Sequence, residues 1–425
     1  MQIRLLISIW LILCTRIQMG NTSSIRPKTG TPGLSPHIKH IVVLVMENRS
    51  FDNILGRLKW DNLNPKVNGL TGFEYNVMKN GETIKVSKGT NPAGGFNPGH
   101  DILPFTEQIY GAGVINARFL EPTMSGFADQ AFQESHQDMG AVNQVFESFG
   151  PDTLPVTYAL AQEFAVIDDW FSSVPGPTYS NRHFVHCATA SGHTINDGNI
   201  RGIGCRTIFK NLDEHGNSWR VYADSARVST LLYREMRNPK RLVKLRSTSR
   251  FKKDAATGDL PQYSFIDPDY TKNDNHPPNN LYKGEEFIKE IYEAIRNSPK
   301  WEQILFLITY DENGGFYDHV KPPTDVPIPD SKPPKPAQGD FNFDRLGPRV
   351  PTIVISPYVQ KGGVFRSNVP GRYFEHSSIP ATIKKVFGLP NYLTPRDKAA
   401  MTFDLAANLP FPRQDCLRYL PNVPT

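Results

Sequence analysis

Residues 41–46, IVVLVM, run without a polar side chain into Glu47 and Asn48, and the same plan recurs along the chain. Residues 164–167 lead to Asp168, 263–266 to Asp267, 304–310 to Asp311 and 350–355 to Ser356. A strand that is apolar on both faces is buried on both faces, which is the habit of a largely parallel sheet covered by helices. Helical patterns separate some of these runs. Residues 284–298 bring Ile288, Ile291, Tyr292 and Ile295 to one face, and residues 378–387 are followed by Gly388 and Pro390, a stop signal. The expected fold is α/β, a doubly wound, mostly parallel sheet flanked by helices. Ligands of such sheets sit beyond the carboxyl ends of the strands, where the polar residues just named would gather.

Three stretches read as loop or hairpin insertions on that core. Residues 75–86 carry Asn80-Gly81 between alternating residues, a hairpin signal. Residues 199–253 turn basic toward their end; this run reads first as a solvated face and second as a peripheral contact with anionic lipid headgroups. Residues 321–336 are rich in proline and read as a loop. With 425 residues, 39% of them apolar, and a net charge of only +5, the chain can bury a large core. Its basic residues do not interleave with aromatics as base-stacking surfaces do, so no nucleic acid partner is expected.

Arg4 precedes an apolar run over residues 5–14 that is too short to span a bilayer unaided. It reads as a secretory signal over 1–20, with a flexible linker over 21–36 and a single domain over 37–425. The expected location is outside the cell or in an endomembrane lumen. Cleavage there leaves Cys187, Cys205 and Cys416; Cys187 and Cys205 bracket a glycine-rich stretch, and the spacing leaves open a disulfide or free thiols. Of the glycosylation sequons at Asn21 and Asn48, only Asn21 is expected to carry sugar.

The chemistry concentrates in a few stretches. In TYDENGGFYDHV, residues 309–320, Asp311 and Glu312 end a buried run and Gly314-Gly315 allow a sharp turn. With Glu47 and Asn48 they put three carboxylates and an amide at one sheet edge, which repel one another unless a cation is held there. An all-oxygen set suits a divalent metal ion whose identity the sequence does not fix. The plainer alternative is that each pair caps a turn. In SVPGPTYSNRHFVHCATASG, residues 173–192, a rigid turn places Thr178 at or near a helix N-terminus, where free N–H groups hold phosphate. A hydroxyl there is an N-cap, or a nucleophile when a metal activates it. His100, His276 and His376 sit in loops or at a helix start, the placement of residues that serve a site.

ENRSFD at 47–52, GPTYSNR at 176–182, DENGGFYDHV at 311–320 and EHSSI at 375–379, in that order, resemble the phosphoesterase family of non-specific phospholipases C and a related bacterial acid phosphatase. The resemblance implies an alkaline-phosphatase-like fold and a metal-dependent hydrolase of phosphate esters. It assigns Glu47, Asn48, Asp311 and Glu312 to the metal, Thr178 to nucleophilic attack with His276 and His376 in catalysis, and Asn181, His100 and Glu375 to substrate. It favours a phospholipase C that releases diacylglycerol and a phosphorylated headgroup through a phosphothreonine. The alternatives are an acid phosphatase on soluble esters and, from another class, a non-catalytic phospholipid-binding domain. Asn313 stands where plant members usually have histidine, which places the chain nearer to bacterial and fungal members.

Overall fold

The computed structural model describes residues 37–425 apart from 112, 115–116, 118–119, 198–200, 226, 331–340 and 425. The expected signal, the linker and Asn21 lie outside the described residues.

The central strand, β1 (His40–Met46), is buried from Ile41 onward. Each of its fully buried aliphatic side chains contributes about 1.5–3 kcal/mol of burial, which is why this segment anchors the sheet. The others are β2 (Ala165–Ile167), β3 (Trp219–Tyr222), β4 (Leu245–Arg246), β5 (Tyr263–Ile266), β6 (Ile304–Tyr310), β7 (Ile353–Ile355) and β8 (Gly363–Phe365). Their order across the sheet is β8-β2-β7-β6-β1-β5-β3-β4. The neighbours are parallel except around β7, which runs antiparallel to both β6 and β2. Register aligns Met46 with Tyr310 and Leu44 with Ile266. The chain therefore leaves β1, β5 and β6 side by side, at Glu47, Asp267 and Asp311.

Two strand expectations need correction. The run 350–355 yields only Ile353–Ile355, and it points the other way. Burial on both faces reads the same in either direction, so the side-chain pattern carries no sign. Ser356 consequently lies at the opposite edge from the site. Asp168 does end β2 at the carboxyl edge, but two strands away, where it binds the Arg366 guanidinium at 2.7 Å.

Helices flank the sheet. The segment α1 (Pro155–Glu163) opens with a proline, α2 (Thr178–Cys187) follows the Pro-Gly-Pro turn, and α3 (Leu281–Arg296) buries Ile288, Ile291, Tyr292 and Ile295 on one face. The helix α4 (Ser378–Phe387) stops at Gly388, whose φ of 66° is the left-handed cap that glycine favours. The Asn80-Gly81 hairpin is present, pairing Tyr75–Val77 with Thr83–Lys85. Much of the basic run is neutralised within the fold: Arg241 and Lys244 pair with Asp213, Arg250 with Asp254 and Lys252 with Glu290. A disulfide joins Cys187 to Cys205, and Cys416 is a buried free thiol. No helix among the described residues is long and apolar enough to cross a membrane.

Candidate active site

Thr178 is the first residue of α2 and is nearly buried, with 5% of its surface exposed. It lines a cavity of about 200 Å³ together with Glu47, Tyr179, Asn196, Arg227, Tyr270 and His276. The helix begins at Thr178 because Pro177 is extended and cannot continue it backward. First-turn N–H groups have no acceptor within their own helix. Asn196 Oδ1 accepts from that of Tyr179 at 2.9 Å, which leaves those of Thr178 and Ser180 for a ligand. The Thr178 hydroxyl makes no hydrogen bond among the described residues.

Asn181 was expected to bind phosphate; the structure turns it away. Its Oδ1 accepts from Val174 N–H at 3.1 Å, and its Nδ2 donates to the carbonyls of Gly176 at 2.7 Å and Val174 at 3.2 Å. It is fully buried and its amide is spent on the turn that sets Thr178, so it positions that threonine. Glu375 is likewise not on this cavity. It accepts hydrogen bonds from the Ser173 hydroxyl and, at 2.8 Å, from Ser377 N–H, and so ties α4 to the same turn. His376, expected to be catalytic, is fully buried. Its Nε2–H donates to the Asp311 carbonyl at 2.5 Å while Nδ1 accepts from the Trp170 indole at 3.3 Å. Burial pushes this imidazole down to about 3, so it stays neutral and steadies the strand end.

The two other histidines do meet. The His100 and His276 rings stand edge to face with centroids 5.7 Å apart. His100 donates from Nδ1 to the Pro98 carbonyl at 2.7 Å, so its Nε2 accepts from Asn48 Nδ2 at 3.3 Å. That contact fixes the Asn48 amide with Oδ1 as a buried acceptor lacking any donor. His276 donates from Nδ1 to the Pro277 carbonyl at 2.6 Å, leaving Nε2 with a lone pair. Burial chiefly lowers its proton affinity, which suits a neutral base.

The four expected metal ligands lie at adjacent strand ends but are not equivalent. Asp311 Oδ1 accepts from Asn48 N–H at 3.2 Å and Glu312 N–H at 2.8 Å, and its Oδ2 accepts from Arg182 Nε at 3.0 Å. Both its oxygens are engaged. Glu312 accepts from Gly314 N–H at 2.6 Å through Oε2, while its Oε1, like Asn48 Oδ1, is a buried acceptor without a hydrogen-bond donor; Glu47 Oε1 lies 3.2 Å from the Arg182 guanidinium. Such orphans are costly unless something cationic satisfies them. Burial first, and Asp311 second, push the Glu47 and Glu312 carboxyls well above the usual range. Gly314 has φ 63°, and a Cβ there would stand 2.3 Å from the Asn48 carbonyl oxygen, so only glycine lets the second strand end press against the first.

Sequence reasoning missed the cation that the fold itself supplies. Arg182, one helical turn after Thr178, is fully buried and reaches Glu47 at 3.2 Å, Asp267 at 2.8 Å and Asp311 at 3.0 Å. It also donates to the Val45 carbonyl at 3.0 Å. Burial alone would weaken its hold on the proton, but Tyr270 and the three carboxylates raise it, so it remains charged. Asp267 further accepts from the Tyr270 hydroxyl at 2.7 Å and Ser229 N–H at 2.6 Å. The signals were present: an arginine four residues after the threonine, and an aspartate closing a third buried run. Asp274 was missed too; its carbonyl accepts from Glu47 N–H at 2.8 Å and its Oδ2 is another buried orphan.

Two groups of side chains have the mutual spacing to hold a metal ion among the described residues, Asp52–Asp318–His319 and Glu163–Asp415–Cys416. Internal cations serve both: Arg349 pairs with Asp52 at 3.0 Å and Asp318 at 2.9 Å, and Lys361 pairs with Glu163 at 2.9 Å. Asp52 thus belongs to that network, with His319 at 2.6 Å.

A profile of the Phosphoesterase family matches residues 38–390. Non-specific phospholipase C6 of Arabidopsis thaliana is 43% identical over 402 residues, 91% of this chain and 75% of that protein. Non-hemolytic phospholipase C of Pseudomonas aeruginosa is 27% identical over 92% of this chain and 61% of its own length. Among solved structures, a protein in the alkaline phosphatase superfamily from Vibrio parahaemolyticus superposes with a TM-score of 0.35 at 14% identity, covering 59% of this chain and 64% of that one. These identities correct the inference drawn from Asn313, since the plant relative is nearer than the bacterial one. Asn313 is fully buried and donates to the Phe316 carbonyl at 2.8 Å; it shapes the turn and does not mark a lineage.

Proposed function

Because the chain belongs to the phosphoesterase family and is a hydrolase of phosphoric ester bonds, we propose that it acts as a phospholipase C with Thr178 as nucleophile. The observation that carries this reading is the Thr178 hydroxyl, unbonded at the first position of α2, on one cavity wall with Glu47 and His276. Thr178 Oγ1 attacks phosphorus in line, and His276 Nε2 takes its proton. The bond to the glycerol oxygen breaks and diacylglycerol leaves with a proton, while the headgroup phosphate stays on Thr178. Water, deprotonated at the same imidazole, then displaces Thr178 and frees the phosphorylated headgroup. The Thr178 and Ser180 N–H groups, at the positive end of α2, face the phosphate charge.

The orphaned acceptors Asn48 Oδ1 and Glu312 Oε1, with the Glu47 carboxylate that Arg182 shares, fit a divalent cation, and Asp311 and Arg182 hold their backbone in place. Bound there, the ion would stabilise charge on the phosphoryl oxygens as a Lewis acid. The Cys187–Cys205 disulfide supports secretion or an endomembrane lumen, since cytosolic thiols stay reduced.

Purified protein would be given phosphatidylcholine and, separately, a soluble phosphomonoester, with and without chelator, while diacylglycerol, phosphocholine and inorganic phosphate are followed. Diacylglycerol with phosphocholine, lost on chelation, is the expected result. Inorganic phosphate from the monoester alone would move the assignment to an acid phosphatase.

A further inference from the structure

A second cavity of about 190 Å³ adjoins the first, and the two share Tyr179, Arg227 and Tyr270 as walls. Its remaining lining is Val228, Ser229, Leu231, Leu232 and Arg237. A site that keeps a headgroup attached to Thr178 while diacylglycerol departs needs room for that headgroup beside the phosphate. This volume suits a headgroup and is too small for a pair of acyl chains.

The charge of the second cavity is one-sided: among the described residues two arginines line it, and no carboxylate does. Arg227 has no side-chain hydrogen bond or ion pair among the described residues, whereas Arg237 donates from Nε to the Leu231 carbonyl at 2.6 Å. Asp224, three residues before Arg227, is engaged with Thr248, accepting its N–H at 2.9 Å, and Asp267 is engaged with Arg182. Of the two tyrosines that a quaternary ammonium could face, Tyr270 already holds the Arg182 guanidinium 5.0 Å from its centroid, and Tyr179 shares its cavity with Arg227. A cationic headgroup would therefore meet Arg227 uncompensated, and an anionic one would supply its missing partner.

Building on the phospholipase C reading, we propose that Arg227 makes this cavity a headgroup subsite that selects phospholipids carrying a second negative group, a carboxylate or a phosphate, over zwitterionic ones. The loop that carries Arg227 is held at Ser229, whose N–H donates to Asp267 Oδ2 at 2.6 Å, so the subsite is braced by the same carboxylate that pairs with the catalytic helix.

Phosphatidylserine and phosphatidylethanolamine differ by one carboxylate and make a clean pair. Each would be presented at low mole fraction in non-ionic detergent micelles, so that surface charge is small, and diacylglycerol release measured for wild type, Arg227→Gln, Arg227→Lys and Lys240→Gln. Lys240 is exposed and lies outside both cavities. Wild type should favour phosphatidylserine in kcat/KM by at least about tenfold, the scale of one charge-assisted hydrogen bond. Arg227→Gln should bring the ratio near one, Arg227→Lys should recover part of it, and Lys240→Gln should leave it as in wild type. An equal wild-type rate on both lipids, or equal loss in the Arg227→Gln and Lys240→Gln variants, overturns the subsite. Absence of diacylglycerol from every lipid would instead overturn the phospholipase reading itself.

Discussion

Replacing Arg182 by methionine tests the account of the strand ends most directly. The substitution keeps much of the volume but removes a buried guanidinium from Glu47 at 3.2 Å, Asp267 at 2.8 Å and Asp311 at 3.0 Å. Each such pair is worth about 4 kcal/mol at an effective dielectric near 20, and burial of the arginine costs several kcal/mol in return. What remains after deletion is three carboxyls without a counter-ion, so the net loss should be about 3–5 kcal/mol. Part of it can be recovered by protonation. Burial already raises Glu47 and Asp311, and without Arg182 they rise further. The variant's native state then holds protons that its unfolded chain releases, so its stability falls as pH rises from the ordinary carboxyl range toward those raised values. Urea unfolding followed by tryptophan fluorescence, in chelator, should show the full deficit at pH 8 and a smaller one at pH 5. A variant within 1 kcal/mol of wild type at pH 8, or a deficit that does not shrink toward acid, would refute the reasoning.

Other expectations follow from single contacts. Thr178→Ala should lower turnover at least about a thousandfold with an unchanged melting temperature, because the hydroxyl makes no hydrogen bond among the described residues; Thr178→Ser should regain part of the rate. Gly314→Ala places a Cβ 2.3 Å from the Asn48 carbonyl at a φ of 63° and should destabilise by about 2 kcal/mol or more while lowering activity, read by denaturation and by lipid hydrolysis. The Glu285 carboxyl, accepting from Val156 N–H at 2.7 Å at the start of α1, is pushed up to about 7 by burial. Its raised value means that stability is lost as pH climbs from about 4.5 through 7, by about 3 kcal/mol from this group. Glu285→Gln should flatten that slope in unfolding curves taken between pH 5 and 8.

The sequence made the strand ends legible because burial on both faces leaves an unmistakable apolar run, and the polar residue after it has to emerge at an edge. Glu47, Asn48, Asp311 and Glu312 stand out on that ground, and Thr178 on the rigid turn before a helix start. Direction was another matter: β7 looks the same read either way, and connection alone reverses it. Side-chain aim was equally hidden. Asn181 and His376 are of the right type at the right place in the chain, yet each turns inward to serve the backbone, since a short side chain within reach of unpaired carbonyls satisfies them first. Arg182 escaped notice because the repulsion among the carboxylates was attributed wholly to a missing metal, when part of it is answered by a residue of the chain.

Thr178 and Arg182 are four residues apart on one helix, and the helix is tied again at Cys187 by the bridge to Cys205. Each helical residue turns the chain by about 100°, so one residue inserted or deleted between the two would swing the hydroxyl away from its cavity or the guanidinium away from all three strand ends. That interval is a fixed gauge for any working variant of this fold. Arg227, beyond the carboxyl end of β3, is under no such gauge, and its side chain can change without shifting that interval.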